Sequence, residues 1–221
     1  MAKPKILKET VRPVQEGEPP RSSDLQPHPW SSEESLAEFR KRLRTGDPLD
    51  AYLSRLAESK IRTPAEKDAR SRLEVMGFLL GEAHTWHKRT YTLVLDAVTT
   101  ELKSSSSKVR FDPKAFPKLF HELDEAQFDY VLVGWYHSHP GHTCFLSGTD
   151  LDTQRTFFDQ PYHLAIVVDP LNKDLRIFRL SGDAYQELAF AIFDSGSRSV
   201  EKSATARTRR LKVTPVPSAL R

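Results

Sequence analysis

Apolar residues form short, dense runs in the middle of the chain and become sparse towards both ends. The first 30 residues are rich in proline and charge, and they carry too little apolar surface to offset the entropy of ordering. From about residue 195 the chain is again polar and basic. The pattern therefore predicts a folded region over 31–194 between two flexible tails, a proline-rich one at 1–30 and a basic one at 195–221.

The segment 31–70 carries helix signals and predicts a helical N-terminal extension followed by the first helix of the main domain. The pair Ser31-Ser32 precedes two glutamates, which is typical of a helix start, and Gly46 predicts the end of that helix. A second helix is predicted to begin at Asp47-Pro48, with apolar residues on one face. A third start is predicted at Thr63-Pro64.

The region 71–194 carries strand signals and is predicted to form the main domain. Dense apolar runs predict buried strands at 73–81, 91–98, 130–137, 164–168 and 175–180. Residues 82–89 read as a hairpin connection, 102–108 as a serine-rich loop, and 113–128 as a helix. The irregular alternation of strands and helices predicts an α/β fold, with a mixed, twisted and partly rolled sheet flanked by helices.

Composition narrows the class of protein without defining it. The formal net charge is only +3, so bulk charge indicates neither a nucleic-acid nor a membrane partner. Cys144 is the single cysteine, which suits a reducing compartment. The sequence contains no apolar run of about 18 residues. The N-terminus also lacks the apolar stretch of a secretory signal. We therefore expect a cytoplasmic protein with no membrane partner.

One segment combines residues that suit a metal site. His137 and His139 lie two apart at the end of a predicted strand, so both imidazoles project to the same face. Asp150 follows a turn and falls in the first turn of a predicted helix, where its carboxylate can reach the same point. Two histidines and one carboxylate leave the fourth position of a tetrahedral zinc ion open, as in catalytic sites.

Glu74 interrupts a run that is otherwise apolar, which is costly unless the carboxylate has a use. It is the candidate general base for such a site. Simpler interpretations exist. Glu74 by itself could be a strand-edge charge, and the sequence from Ser147 to Asp150 could be only a helix N-cap. Ser138 faces away from the ligands, so we assign it no chemistry. We expect Cys144 to be a small buried thiol.

The spacing His137-x-His139-x7-Ser147-x-x-Asp150, with Glu74 upstream in EVMGFLLG, resembles the JAMM motif of MPN-domain zinc metallopeptidases. The segments GWYHSHPGHTCFLSGTDLDTQ and VVDPLNKDLRIFRL look especially like the isopeptidases of the proteasome lid and the signalosome. The resemblance implies one catalytic Zn²⁺ on His137, His139 and Asp150. It also implies Glu74 as general base and Ser147 as the donor to the oxyanion.

The resemblance further implies a deubiquitinase-like isopeptidase that cuts between the C-terminal glycine of ubiquitin, or of a ubiquitin-like modifier, and a target lysine. Its expected partners are conjugates of such modifiers, with the proteasome as a further candidate. The insertion that folds over the modifier's tail would fall at 100–108. Two alternatives stay open: a sulfur-carrier-protein peptidase of the same family, and a non-catalytic MPN scaffold. The short connection at 169–174 favours a compact, archaeal or prokaryotic version.

Overall fold

A computed structural model describes residues 14–99 and 131–194. These ranges contain three α-helices: α1 (Glu33–Thr45), α2 (Arg55–Asp68) and α3 (Gly148–Phe157). They also contain ten strands: β1 (Gln15–Glu16), β2 (Leu25–Gln26), β3 (Ala51–Ser54), β4 (Met76–Trp86), β5 (Arg89–Thr99), β6 (Val131–Ser138), β7 (Leu164–Asp169), β8 (Asp174–Ser181), β9 (Ala184–Glu187) and β10 (Phe190–Phe193).

The strands form one mixed sheet, in the order β2-β10-β3-β5-β4-β6-β7-β8-β9, with β1 paired to β4. Strands β4 and β5 form the predicted hairpin. Its connection is shorter than predicted, because only His87 and Lys88 lie between the strands, and both adopt positive φ. Strand β6, which contains His137 and ends one residue before His139, lies between β4 and β7 and runs parallel to β7, so it is central in the sheet. The predicted α/β fold is confirmed.

Helix α1 begins and ends where the local sequence predicts. The Ser32 hydroxyl accepts a hydrogen bond from the Ser35 backbone N–H at 3.1 Å, as an N-cap does. Gly46 adopts φ 75° at the C-terminus, and its N–H donates to the Arg42 carbonyl. Because both signals act within one or two turns of the helix, they can be identified without knowledge of the tertiary structure.

The second predicted helix is wrong, because residues 51–54 form strand β3. All four residues are buried, and the strand lies between β10 and β5, parallel to both. The apolar spacing that favoured a helix is equally compatible with a short strand buried on both faces. Helix α2 then begins at Arg55, and Ser54 is its N-cap, whose hydroxyl accepts from the Ala57 N–H at 3.0 Å.

The predicted helix start at Thr63-Pro64 is also wrong, since Pro64 lies inside α2. Ala57, Ile61 and Ala65 are fully buried at intervals of four residues, so one apolar face packs on the sheet on both sides of the proline. This continuous burial offsets the backbone hydrogen bond that a proline cannot donate.

Residues 14–30 differ from the predicted flexible tail. Strand β1 pairs with β4 at His84 and Thr85, and β2 pairs with β10. His28 is buried, with Nε2 at 3.2 Å from a Glu58 carboxylate oxygen of α2. Backbone pairing and one buried imidazole order a segment that has few apolar side chains. The predictions for 1–13, 100–130 and 195–221 concern parts of the chain outside the described residues.

Two apolar clusters cover the two faces of the sheet near the motif. On one face, α2 packs against Val94, Val133 and Ile166. On the other, Trp135, Val167 and Phe158 lie close to α3. Within residues 14–99 and 131–194, no helix is both long and apolar enough to span a bilayer. The end of β6 therefore lies at the margin of a well-packed sheet, which fixes the backbone of the motif histidines.

Candidate metal centre

The end of β6 directs two imidazoles to one point. His137 pairs with Met76 of β4 and with Val167 of β7. The His139 N–H then donates to the Val168 carbonyl at 2.9 Å, which continues the pairing past the end of the strand. Since alternate residues face the same side, the two Nε2 atoms approach to 3.0 Å. Both side chains are buried.

Asp150 reaches the same point from the first turn of α3. Its Oδ2 atom lies 3.5 Å from His137 Nε2 and 3.9 Å from His139 Nε2. The same oxygen accepts from the Ser147 N–H at 2.7 Å, while the Ser147 hydroxyl accepts from the Asp150 N–H, so the two residues form a capping box. The N-cap and ligand interpretations therefore describe a single arrangement, in which the cap orients the carboxylate.

The electrostatic environment favours the ligand forms of these groups. Burial alone would raise the pKa of Asp150, but hydrogen bonding and charge from His137 and donation from Ser147 lower it to about 2. Burial and the neighbouring His137 lower the pKa of His139 to about 4. At neutral pH the carboxyl group is therefore ionised and the His139 imidazole is neutral.

A contact on the far side of the ring defines the tautomer of His139. Its Nδ1 lies 3.0 Å from the Thr143 carbonyl oxygen, which can only accept a hydrogen bond. Nδ1 must therefore carry the proton, and Nε2 presents a lone pair to His137 and Asp150. This is the second contact that a metal-binding histidine usually makes. On His137, the Trp135 ring stacks at 4.6 Å between centroids.

The donor set fits a zinc ion. One ligand atom from each of His137, His139 and Asp150 lies within 4.8 Å of the other two. Two imidazole nitrogens and a carboxylate oxygen are zinc ligands, and three of them leave one position for water. The Nδ1 atom of His137 is buried and has no hydrogen-bond partner among the described residues.

Glu74 lies beside this cluster, but not inside a strand as predicted. Strand β4 begins only at Met76, and Glu74 is half-buried in the extended segment before it. Burial raises the pKa of Glu74; the charges of His137 and His142 oppose this shift, and that of Asp150 adds to it. Its carboxyl group therefore lies within electrostatic range of two of the three candidate ligands.

Ser138, to which sequence reasoning gave no chemistry, connects the segment that contains Glu74 to the strand end between the two candidate histidine ligands. Its hydroxyl accepts from the Val75 N–H at 3.0 Å, and its own N–H donates to the Val75 carbonyl at 2.9 Å. Ser138 is fully buried. A small hydroxyl residue in a strand this apolar was the available signal, since such a side chain needs a buried partner.

The remaining motif residues take separate positions. The half-buried Ser147 hydroxyl uses a lone pair in the cap, so its hydrogen is not needed there. The expectation that Cys144 is a small buried thiol agrees with the structure: it lies 3.2 Å from the Val167 carbonyl, and burial raises its pKa. His142 is exposed. Phe145 is 41% exposed, with its ring centroid 4.9 Å from that of His139.

Comparison with known protein families matches residues 49–160, about half of the chain, to the family described as JAB1/Mov34/MPN/PAD-1 ubiquitin protease. The chain belongs to this family, and the resemblance drawn from the motif is confirmed. The match begins at residue 49, so it includes β3 and α2, which lie upstream of the predicted boundary at residue 71.

Individual relatives agree with this assignment. A COP9 signalosome complex subunit 5 from Candida albicans is 33% identical over 167 residues, which cover 72% of this chain and 25% of the relative. A 26S proteasome non-ATPase regulatory subunit 14 from Dictyostelium discoideum is 40% identical over 102 residues, covering 45% and 32% respectively. The chain thus spans between a quarter and a third of the length of these relatives.

Proposed function

We propose that this chain is a zinc-dependent isopeptidase that hydrolyses the bond between the C-terminal glycine of ubiquitin, or of a ubiquitin-like modifier, and a target lysine. The observation that carries the proposal is the convergence of two imidazole nitrogens and one carboxylate oxygen within 4.8 Å of one another. The family supports the same reaction, since its description is that of a ubiquitin protease. Conjugates of such modifiers are the proposed partners.

In this proposal His137, His139 and Asp150 hold the metal. A zinc ion in such a site polarises a carbonyl and lowers the pKa of a bound water to about 7. The chain's own residues prepare the site for that role. The tautomer of His139 is set by Thr143, and the orientation of the Asp150 carboxylate is set by the Ser147 N–H. Positions fixed before substrate arrives cost no reorganisation during the reaction.

Glu74 is the proposed general base, which takes a proton from the attacking water and passes it to the leaving lysine amine. The raised pKa of its carboxyl group suits this role, because a base works best when its pKa approaches the working pH. Its half-buried position leaves a route for water. Ser147 is the proposed donor to the developing oxyanion, since its hydroxyl hydrogen is not used in the cap.

The first test is cleavage of a panel of ubiquitin and ubiquitin-like conjugates by the purified, zinc-loaded protein. Glu74→Gln should lower turnover by about 10²–10⁴-fold while one zinc stays bound, because the amide cannot accept the proton. A chelator should abolish cleavage, and added Zn²⁺ should restore it.

Glu82→Gln is the matched control. Glu82 is a glutamate of β4 that contacts His84, six residues along the strand from the Met76–His137 pair, so its substitution tests the loss of a carboxylate elsewhere on the same strand without touching the proposed base. Full activity in Glu74→Gln would remove Glu74 from the mechanism. A chain that binds no zinc and cleaves no conjugate would contradict the proposed function and favour a scaffold.

A further inference from the structure

Asp169 is a carboxylate that the proposed chemistry does not use, and it is fully buried at the end of β7. Its Oδ1 accepts from the backbone N–H groups of Gly141, Leu171 and Asn172 at 2.9, 3.0 and 3.1 Å. Its Oδ2 accepts from the Thr143 N–H at 2.8 Å and from the Asn172 side-chain amide at 2.7 Å. Five donors thus compensate a buried charge, which indicates a built arrangement.

The donors come from two turns that are distant in sequence. Leu171 and Asn172 belong to the β7–β8 turn, which follows Asp169 directly. Gly141 and Thr143 belong to the turn between the ligand His139 and Cys144. Burial alone would raise the pKa of Asp169, but donation from Gly141, Asn172 and Thr143 lowers it, so the carboxylate stays ionised at neutral pH. The buried carboxylate of Asp169 therefore connects both turns through hydrogen bonds.

The 141–143 turn needs such stabilising contacts, because two of its residues adopt an unfavourable backbone conformation. Gly141 adopts φ 83°, and Thr143, a β-branched residue, adopts φ 63°. A left-handed conformation costs a non-glycine residue about 1–3 kcal/mol and persists only where the surroundings enforce it. The Asp169 contact at the Thr143 N–H is the contact that acts on this residue from outside the turn.

Thr143 in turn holds the metal ligand. Its carbonyl accepts the Nδ1 proton of His139 at 3.0 Å, which directs His139 Nε2 towards His137 and Asp150. The two groups of Thr143 thus connect Asp169 on one side with the His139 ring on the other. The backbone of His139 is fixed separately, by its N–H bond to Val168.

We propose that Asp169 is a positioning residue for the metal centre, which holds Thr143 so that its carbonyl fixes the tautomer and orientation of His139. This inference rests on the proposed metal site. Asp169 acts through Thr143, whose carbonyl is the contact behind the ligand; the loss of such a contact typically lowers metal affinity about 10–100-fold.

The test compares Asp169→Asn with Asn172→Ala. Asp169→Asn replaces one acceptor oxygen with an NH₂ group, which then faces other hydrogen-bond donors. The 141–143 turn therefore loses part of the hydrogen bonding that holds it. The second removes only the side-chain donor from the β7–β8 turn and leaves the Gly141 and Thr143 contacts in place. Zn²⁺ affinity is measured by competition with a chromophoric chelator, and ligand geometry by the visible spectrum of the Co²⁺-loaded protein.

We expect Asp169→Asn to weaken Zn²⁺ binding by about 10–100-fold and to change the Co²⁺ spectrum, while Asn172→Ala stays close to the parent protein. Equal affinities in Asp169→Asn and the parent would overturn the inference and leave the proposed function intact. Equal losses in both variants would also overturn it, because the effect would not depend on Thr143. A parent chain that binds no Zn²⁺ would instead contradict the proposed function.

A measurement on the unaltered chain covers the case in which Asp169→Asn does not fold. Gly141 and Thr143 are exposed residues, yet their N–H groups point to a buried carboxylate. The inference predicts that both amides exchange with solvent as slowly as those of the neighbouring strands. Exchange at the rate of an open surface turn would overturn it.

Discussion

The ligand side of the site, residues 137–150, and its base side, residues 72–75, meet at the two hydrogen bonds between Ser138 and Val75. On the ligand side, the three proposed ligands His137, His139 and Asp150 are 1%, 6% and 8% exposed. Ring stacking orients His137, a backbone carbonyl orients His139 and a helix cap orients Asp150. Metal ligands need such fixed orientations, because a small error in their positions weakens metal binding.

The base side is more open. Glu74 is half-buried and lies before the first residue of β4, while Leu73 is 37% exposed and Arg72 adopts φ 53°. The Ser138 contacts attach this segment to β6 at Val75, one residue after the proposed base Glu74. A group that transfers protons must exchange them with water, so full burial would hinder it. The two sides thus differ in burial in the way that the proposed metal binding and the proposed proton transfer require.

The largest expected effect comes from removing the charge of the proposed ligand Asp150, which tests the difference between the two sides. Asp150→Asn should lower Zn²⁺ affinity by more than about 100-fold and abolish cleavage, because the anionic donor is lost. The fold should survive, since the asparagine carbonyl can still accept from the Ser147 N–H. Bound zinc per chain and the unfolding midpoint are the measurements.

The contrast with Glu74→Gln is the control for this prediction. That variant should keep its zinc and lose turnover, whereas Asp150→Asn should lose both. If Asp150→Asn binds Zn²⁺ as tightly as the parent chain, Asp150 is not a ligand and the division into two sides does not hold.

The second prediction weakens the connection between the two sides. Ser138→Ala leaves the Val75 N–H without its acceptor, which costs about 1–3 kcal/mol of unfolding free energy if the group stays buried. The segment before β4 should then hold Glu74 less well, and misplacement of a catalytic group by about 1 Å can cost up to 10²-fold in rate. We expect turnover to fall by about 10–100-fold, with a much smaller change in Zn²⁺ affinity.

Ser54→Ala is the matched control, because Ser54 is also fully buried and its hydroxyl also accepts from a backbone N–H, that of Ala57. It caps α2, and no contact joins it to the ligand cluster within the described residues. Because the Ser54 hydroxyl also donates to the Leu95 carbonyl at 2.7 Å, Ser54→Ala should lose at least as much stability, with unchanged turnover per folded molecule. Equal turnover in both variants would show that Ser138 only stabilises the fold.

Features that depend on interactions between residues close in sequence could be predicted, and features that depend on distant residues could not. Ser32 and Gly46 bound α1 correctly because a cap acts within a few residues. The ligand triplet could be proposed because strand alternation and a helix start are local patterns. Strand β3 could not be predicted from the sequence, because its conformation depends on its neighbours β5 and β10, which lie about 40 and 140 residues away.

The supporting contacts of the site were missed for the same reason. The hydroxyl of Ser138 meets Val75 across 63 residues, and the carboxylate of Asp169 meets Gly141 across 28. Neither residue type marks such a partner in advance. A buried serine or aspartate indicates only that some partner must exist, and the fold identifies it.

The smallest expected effect concerns His163, a buried histidine whose pKa is lowered like that of His139 but which is not a proposed metal ligand. His163 is buried against Phe158 and Tyr162, and its Nδ1 accepts from the Gln160 N–H at 3.2 Å. Burial lowers the pKa of His163 to about 4, outweighing the opposing effect of Asp159. It is therefore a reference for the His139 imidazole, whose pKa burial lowers to a similar value.

The sign of the pH effect follows from linkage. Between about pH 6.5, where an unfolded histidine titrates, and about pH 4, the unfolded chain binds a proton that folded His163 does not. The unfolding free energy of the metal-free protein should thus fall as the pH falls through this window. His163→Asn, whose carbonyl can still accept from Gln160, should remove the His163 contribution, which amounts to roughly 3 kcal/mol over the whole window. Denaturant unfolding at several pH values, with a chelator present, measures it.

The slope that remains in His163→Asn should come partly from His139, and added zinc tests this. A bound metal competes with the proton for the His139 nitrogen, so saturating Zn²⁺ at pH 6–7 should stabilise the variant and the parent chain by the same amount. Zinc binding and turnover at neutral pH should be unchanged in His163→Asn, because the residue lies outside the ligand cluster. If the variant keeps the full acid slope, His163 is not the buried neutral histidine described above. If it loses zinc, the ligand side extends further than residues 137–150.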